Sequence, residues 1–317
     1  MAKYRNNLPQ LGDQLFLTDG GIETTLIFHN GIDLPDFASF VLLDDDSGRQ
    51  ALVDYFETYA RIAAENSTGF VLESATWRAN PDWAKGLGYS PEALDAANKG
   101  AIALCANIRD TFETEATPMV ISGCFGPRGD GYVAGDLMSA DEAQAYHSTQ
   151  MQSFAESDAD MAGAITMTYA EEAIGITRAA QAAGLPAAIS FTVETNGRLP
   201  SGQPLGEAIE QVDAATDNGP AYFMINCAHP THFDFVLDAS ASWAGRIQGI
   251  RANASRMSHA ELDEAEELDD GNPEEFGSEY RELRDMLPGL NVLGGCCGTD
   301  HRHIEAIIRS CAPSPAS

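Results

Sequence analysis

Two cysteines stand side by side near the end of the chain, within residues 294–299, Gly-Gly-Cys-Cys-Gly-Thr. Neighbouring side chains of a strand point to opposite faces, so Cys296 and Cys297 can bind one metal ion only where the backbone turns sharply. The flanking glycines permit such a turn. A third thiol, Cys227, follows Asn226 at the end of an earlier apolar run. These cysteines are the residues of this sequence best suited to metal chemistry.

Three thiolates leave one position of a tetrahedral zinc ion open, which is typical of a catalytic zinc site and not of a structural one. Soft sulfur ligands also favour Zn²⁺ over magnesium or calcium. A small thiol in the open position would lose its proton, and its sulfur could then attack an electrophilic carbon. The alternatives are reduced thiols in the core, a strained disulfide between the adjacent cysteines, and a non-catalytic zinc-binding protein.

Eight apolar runs are typical of buried parallel strands, and helical patterns separate them. The predicted strands are residues 15–19, 69–74, 119–124, 162–168, 187–193, 222–227, 246–252 and 291–296. This alternation predicts an α/β fold, a single (β/α)₈ TIM barrel with its active site at the C-terminal ends of the strands. Cys227 and Cys296 would then meet at one mouth. A doubly wound open sheet is the alternative, but residues 19–23 lack its G-x-G-x-x-G turn.

Helix signals between these runs support the barrel. One helical stripe recurs at three- and four-residue steps and consists of Leu94, Ala97, Ala101, Leu104, Ile108 and Phe112. Ser90 and Asn272, each followed by proline, are typical helix N-caps. Ser139 with Glu142 fits a capping box. We therefore expect helices to begin at these positions.

The pattern contains no linker that would divide the chain. We predict one barrel domain for residues 1–317, with its core at about 15–310. An acidic insertion at about 254–272 follows the seventh strand and therefore lies on the active face of the barrel. This insertion is either a solvated surface loop or a mobile lid over the site.

The charge balance excludes nucleic acid as a partner. The chain has 48 acidic and 18 basic residues among 317, a formal charge of −30, and this charge repels nucleic acid. The sequence contains no run of about 18 apolar residues, so no transmembrane helix is predicted, and the N-terminus lacks a signal-peptide pattern. We therefore expect a cytoplasmic protein without a membrane partner. The oligomeric state stays open, a homo-oligomer included.

The cysteine segments resemble those of the homocysteine S-methyltransferase family, zinc-dependent barrels related to betaine–homocysteine and S-methylmethionine–homocysteine methyltransferases. The resemblance covers residues 15–308. It depends on Asp-Gly-Gly at 19–21, Gly-Cys-Phe-Gly-Pro at 123–127, Asn-Cys at 226–227 and the cysteine pair within 294–299. The last two segments together are highly specific, whereas Asp-Gly-Gly alone is a weak signal.

The resemblance implies a reaction and its residues. It implies that Cys227, Cys296 and Cys297 bind Zn²⁺, and that a methyl group passes from an onium donor such as S-methylmethionine or betaine to a zinc-bound thiol. The expected acceptor is homocysteine, which gives methionine. The substrate-binding residues that the resemblance implies are Asp19, Gly20, Gly21, Trp77 and Asn253. A cationic donor over the ring of Trp77 would gain roughly 0.5–2 kcal/mol.

One position departs from the family pattern. After the fourth strand the family usually has a glutamate before a threonine, and this carboxylate binds the ammonium group of the substrate. Here Met167 precedes Thr168. A buried ammonium without an acceptor is costly. Either Glu73 or Glu194 replaces the missing carboxylate, or the protein is a divergent thiol or selenol alkyltransferase or demethylase with another acceptor.

Overall fold

The computed structural model describes residues 2–265 and 267–312, and a closed barrel of eight parallel strands in chain order is at its centre. The strands are β1 Phe16–Leu17, β2 Gly69–Glu73, β3 Met119–Phe125, β4 Met161–Met167, β5 Ala187–Phe191, β6 Tyr222–Asn226, β7 Ile247–Ala252 and β8 Val292–Gly295. The predicted (β/α)₈ barrel is confirmed, and the open sheet is excluded. Each strand overlaps its predicted run, because strands buried on both faces are nearly continuous apolar segments.

Helices surround the barrel. They are α1 Asp46–Glu65, α2 Pro81–Gly86, α3 Pro91–Phe112, α4 Ala140–Ala155, α5 Ala170–Ala183, α6 Leu205–Thr216, α7 His259–Asp263, α8 Pro273–Met286 and α9 His301–Cys311. The predicted N-caps Ser90, Ser139 and Asn272 are confirmed, since each side chain accepts a hydrogen bond from the first helical turn. Across the described residues, no helix is both long and apolar enough to span a membrane.

The connection between β6 and β7 differs from the predicted alternation. It contains short 3₁₀ turns at Pro230–His232, Asp234–Val236 and Ala244–Arg246, and the α-helix expected there is absent from this described segment. Local hydrogen bonds compete with a helix here, because the Asp238 carboxylate accepts from the backbone N–H of Ser240. The prediction of a helix after every strand was therefore wrong at this position.

An apolar layer fills the barrel near the start of the strands, and we call it the floor. Its members are Phe16, Val71, Val120, Met161, Ala188, Tyr222, Met224 and Val292. The N-terminal segment covers it from outside: Leu8 packs in the same cluster, and the Gln10 amide donates to Met161 Sδ at 3.0 Å. The floor closes one end of the barrel.

Polar side chains replace apolar ones two residues further along the same strands. Glu73 follows Val71 on β2, and Ser122 follows Val120 on β3. Because side chains alternate between the two faces of a strand, these polar groups also point into the barrel. The Ser122 hydroxyl indeed donates to Glu73 Oε1 at 3.2 Å. The interior thus becomes polar towards the C-terminal ends of the strands.

The acidic segment 254–272 follows β7, as predicted, although its residue 266 lies outside the described residues. The segment contains α7, which begins with a capping box between Ser258 and Glu261. Asp263 and Glu264 are exposed, whereas His259 is 5% exposed. The segment therefore combines a solvated acidic surface with one side chain buried in the protein.

Candidate active site

The sulfur atoms of Cys227, Cys296 and Cys297 lie together at the C-terminal mouth of the barrel. Cys227 Sγ is 2.9 Å from Cys296 Sγ and 3.4 Å from Cys297 Sγ. All three sulfurs lie within 4.8 Å of one another, and no other such group of potential metal ligands occurs among the described residues. The predicted convergence of the three sulfurs is confirmed, while their role as metal ligands stays a prediction.

Strand β7 positions the cysteines through its backbone, because it lies between β6 and β8. The Arg251 carbonyl accepts a hydrogen bond from the N–H of Cys227 at 3.0 Å. The Ala252 carbonyl accepts from the N–H of Cys296 at 2.8 Å. Just after the strand, the N–H of Ala254 donates to the carbonyl of Cys297 at 3.0 Å. Sheet register therefore brings together thiols that are far apart in the sequence.

A tight turn lets the two adjacent cysteines face the same point. The Thr299 N–H and hydroxyl both donate to the Cys296 carbonyl, at 3.1 and 2.7 Å. Gly298 has φ +79°, a left-handed conformation that glycine adopts without strain. Cys227 has φ +57°, which is uncommon for a residue with a Cβ atom and indicates a functional constraint.

The electrostatics of this cluster favour a cation. Hydrogen bonding with Cys227 and Cys297 holds the pKa of Cys296 well below its usual range, and the contact between Cys296 and Cys227 raises the pKa of Cys227. A bound divalent ion would allow all three thiols to ionise. Tetrahedral zinc, about 2.3 Å from each ligand, separates sulfurs by roughly 3.8 Å. The observed separations of 2.9 and 3.4 Å are shorter than this, so the soft donor set fits zinc after the sulfurs move apart by up to about 1 Å.

Two side chains that the sequence analysis missed lie against the sulfurs. The Tyr132 hydroxyl donates to Cys297 Sγ at 3.3 Å and lies 3.6 Å from Cys227 Sγ. Its ring stacks on His259, with the centroids 4.2 Å apart. His259 Nε2 lies 2.8 Å from the Cys227 carbonyl oxygen. Because His259 belongs to α7, the acidic segment contributes directly to the mouth.

Next to the cysteines, Arg251 pairs with two buried carboxylates. Its guanidinium lies 2.6 Å from Asp19 Oδ1 and contacts the Glu73 carboxylate, and its Nε donates to the Gly295 carbonyl at 3.1 Å. The Tyr55 hydroxyl donates to Asp19 at 2.8 Å. Burial raises the pKa of Asp19 and Glu73, and the charge of Arg251 opposes this shift. Two of the three predicted substrate-binding carboxylates, Asp19 and Glu73, are thus members of an internal ion network.

The glycines after β1 pack against the cysteine loop. A Cβ atom on Gly21 would approach the Cys296 carbonyl oxygen to 2.6 Å, and one on Gly20 would approach the Tyr59 hydroxyl to 2.8 Å. Asn253, the residue directly after β7, is 1% exposed, and its Oδ1 atom has no hydrogen-bond partner among the described residues. A buried polar atom without a partner is costly, so Asn253 stays a candidate for ligand contact.

Trp77 already has a cationic partner within the chain. The Arg78 guanidinium lies 4.0 Å from the ring centroid of Trp77 and 3.9 Å from that of Trp83. Arg78 also donates to the Gly129 carbonyl at 3.0 Å. The predicted contact between Trp77 and a cationic donor therefore stays a prediction, and the arginine competes for the ring.

The position of the missing family carboxylate is apolar. Met167 is fully buried in the main core cluster and pairs with Phe191 of β5. Glu194, one of the two proposed replacements, lies 3.2 Å from Nδ1 of His259. Cys124, a further thiol near the mouth, is buried but does not belong to the sulfur cluster.

The fold and the site define a class of protein: a (β/α)₈ barrel whose strand ends bring three cysteine sulfurs to its mouth. A family model described as homocysteine S-methyltransferase matches residues 16–311. The chain therefore belongs to the homocysteine S-methyltransferase family, and it is a methyltransferase.

Named relatives span most of the chain at low identity. Selenocysteine Se-methyltransferase of Brassica oleracea var. italica is 24% identical over 315 residues, covering 92% of this chain and 87% of that protein. Homocysteine S-methyltransferase 1 of the same plant is 22% identical over 317 residues, covering 92% of each chain. The metallated form of the homocysteine methyltransferase MmuM from Escherichia coli covers 93% of this chain and 96% of its own, with a TM-score of 0.73 and 19% identity. The similarity to the MmuM structure supports the (β/α)₈ fold.

Proposed function

We propose that the protein is a zinc-dependent S-methyltransferase that methylates a small thiol at the mouth of the barrel, with homocysteine as the expected acceptor and methionine as the product. The observation that carries this proposal is the meeting of the Cys227, Cys296 and Cys297 sulfurs within 4.8 Å. The family membership supports the reaction. The metallated form of the Escherichia coli relative supports a metal in this family.

Zinc held by these cysteines would keep the acceptor sulfur deprotonated at neutral pH. The thiol proton leaves to solvent. An electron pair of the acceptor sulfur forms the new bond to the methyl carbon, while the bond between this carbon and the onium sulfur or nitrogen breaks and its electrons stay with the donor. The reaction therefore needs no strong general base from a side chain, and the chain's task is to position both substrates.

The buried ion network suits the positively charged onium group of a donor such as S-methylmethionine or betaine. When ionised, Asp19 and Glu73 contribute two negative charges and Arg251 one positive charge, so the network carries a net charge of −1. Its charges are poorly screened because all three side chains are buried. The onium group of a methyl donor at the mouth would be stabilised by this negative potential.

A second candidate function is methyl transfer to a different acceptor, including a selenol, or another thiol alkylation or demethylation. It is favoured by Met167, which places a buried apolar side chain where the family pattern has a carboxylate. One relative bears the name selenocysteine Se-methyltransferase. A non-catalytic zinc-binding role is less favoured, since three sulfurs leave the coordination incomplete.

We further propose that residues 1–317 act as one barrel domain in the cytoplasm, in methionine biosynthesis. The proposed partners are the two small-molecule substrates, without nucleic acid or membrane. The exclusion of nucleic acid is supported by the formal net charge of −30.

The test compares zinc-loaded wild type with Cys297→Ala. Homocysteine or selenocysteine serves as acceptor and S-methylmethionine or betaine as donor, and mass spectrometry identifies the products. We expect wild type to methylate homocysteine, and Cys297→Ala to lose zinc and at least about 100-fold in activity, because loss of a supporting group alone costs 10–100-fold. Cys311→Ala, a buried thiol of α9 outside the cluster, should retain both. Zinc loss without loss of activity would refute the proposal.

A further inference from the structure

Most carboxylates at the mouth already have protein partners. Asp19 pairs with Arg251 and accepts from Tyr55, and Glu73 pairs with the same arginine. Glu194 lies 3.2 Å from His259. An ammonium group that bound one of these carboxylates would have to compete with a protein donor. None of the three is free to receive a substrate without rearrangement.

Glu23 is different. It follows the Asp-Gly-Gly turn, precedes the helical turn Thr24–His29 and is half-buried. Over the described ranges, its carboxylate forms no ion pair and no hydrogen bond with another residue, although the charge of Arg78 acts on it and opposes the rise of its pKa. Burial, reinforced by the negative charges of Cys296 and Asp19, raises the pKa of Glu23 to about 7. An anion in these surroundings needs a positively charged partner.

The turn that holds Glu23 packs directly on the cysteine loop. The residue after it, Thr24, accepts a hydrogen bond from the N–H of Gly298 at 2.9 Å. Two residues before it, Gly21 donates to Thr299 Oγ1 at 3.1 Å. These contacts fix the backbone on both sides of Glu23 against the segment that carries Cys296 and Cys297. The backbone that carries Glu23 is therefore held against the cysteine loop, and the charge of Cys296 acts on its carboxylate.

We propose that Glu23 binds the α-ammonium group of an amino-acid acceptor and so determines that this enzyme prefers amino-acid thiols. This inference depends on the proposed function, since it assumes that a thiol acceptor binds at the cysteine cluster. Glu23 takes over the task that the family pattern gives to the position of Met167. Because Glu23 follows β1 and Met167 ends β4, the ammonium group of the acceptor would be bound by a residue after β1 and would not need a carboxylate on β4.

The test measures binding by titration calorimetry on the zinc-loaded protein. The two thiols are L-homocysteine and 4-mercaptobutanoate, which has the same carbon chain and carboxylate but lacks the amino group. We expect Glu23→Gln to weaken homocysteine binding roughly 10–100-fold, the value of a charge-assisted hydrogen bond, and to leave 4-mercaptobutanoate unchanged. Glu23→Asp, which keeps the charge on a shorter side chain, should show a smaller loss that is again confined to homocysteine.

Two further variants, Glu194→Gln and Glu23→Asp, serve as comparisons for Glu23→Gln. Glu194→Gln tests the rival carboxylate, and a loss confined to homocysteine in this variant, but not in Glu23→Gln, would overturn the assignment. Equal losses for both thiols in Glu23→Gln would also overturn it, since they would indicate a purely structural role. Zinc content and melting temperature are measured for each variant, and Glu23→Asp carries the test if the glutamine variant does not fold. Wild type that binds neither thiol would refute the proposed function itself, a result distinct from the loss of selectivity.

Discussion

The floor and the mouth of the barrel are built on the same strands, two residues apart, and have opposite chemistry. Val71 lies in the floor and Glu73 in the polar layer of β2, and Val120 and Ser122 have the same relation on β3. The floor and the packing of helices on strands bury the apolar surface that stabilises the fold. The mouth can therefore contain buried charges and a strained cysteine, which cost stability and provide chemistry.

The largest expected effect comes from breaking the ion network at the mouth with Arg251→Leu. Removing one partner of a buried ion network costs about 3–5 kcal/mol, because the remaining charges are left unpaired. We expect the free energy of unfolding to fall by this amount in urea denaturation, and methyl transfer to be lost. Arg309→Leu, which removes an exposed ion pair with Glu274, should cost less than about 1 kcal/mol. Equal effects of the two substitutions would show that the network is not important for stability.

A substitution in the floor should separate stability from chemistry. Met161→Ala truncates a side chain that is 1% exposed in the floor, and such a change typically costs about 2–5 kcal/mol. We expect a lower urea midpoint but normal zinc content and an unchanged KM for the thiol at a temperature where the variant is folded. A floor variant that loses zinc while it is still folded would contradict the division between the two layers.

The smallest effect concerns two tyrosines that each contact sulfur. The Tyr132 hydroxyl lies 3.3 Å from Cys297 Sγ at the mouth, and the Tyr222 hydroxyl lies 3.8 Å from Met161 Sδ in the floor. Tyr132→Phe removes a hydrogen bond to a candidate metal ligand, worth about 1 kcal/mol, and should weaken zinc retention against a chelator about fivefold. Tyr222→Phe should leave zinc retention unchanged. Equal retention in both variants would exclude a role for Tyr132 at the metal site.

Much of the fold was predictable, because its signals are local. Each predicted strand ends within two residues of the observed one, since long apolar runs between helix caps define buried parallel strands. The convergence of the sulfurs follows from the barrel, because the end of β6 at Asn226 and the end of β8 at Gly295 lie on either side of β7. The missing helix after β6 was not predicted, because its loss depends on local side-chain hydrogen bonds.

The side chains around the sulfurs were less predictable, because loops place them. Tyr132 and His259 reach the cysteines from the loop after β3 and from α7, and no periodicity predicts such a meeting. Arg251 offered a signal that could have been used: a basic residue inside an apolar strand of an acidic chain requires buried carboxylates. Glu23 offered another, since it lies in the turn that already attracted interest for Asp19.

Because Leu8 and Gln10 pack beneath the floor, we expect both substrates to enter the barrel at the mouth. The methyl donor and the acceptor would then enter through the same opening. The substrate that binds first would narrow the path of the second. A compound that joins a thiol and an onium group through a short tether could occupy both places at once. Its affinity should exceed that of either half, because the second group binds at a high effective concentration.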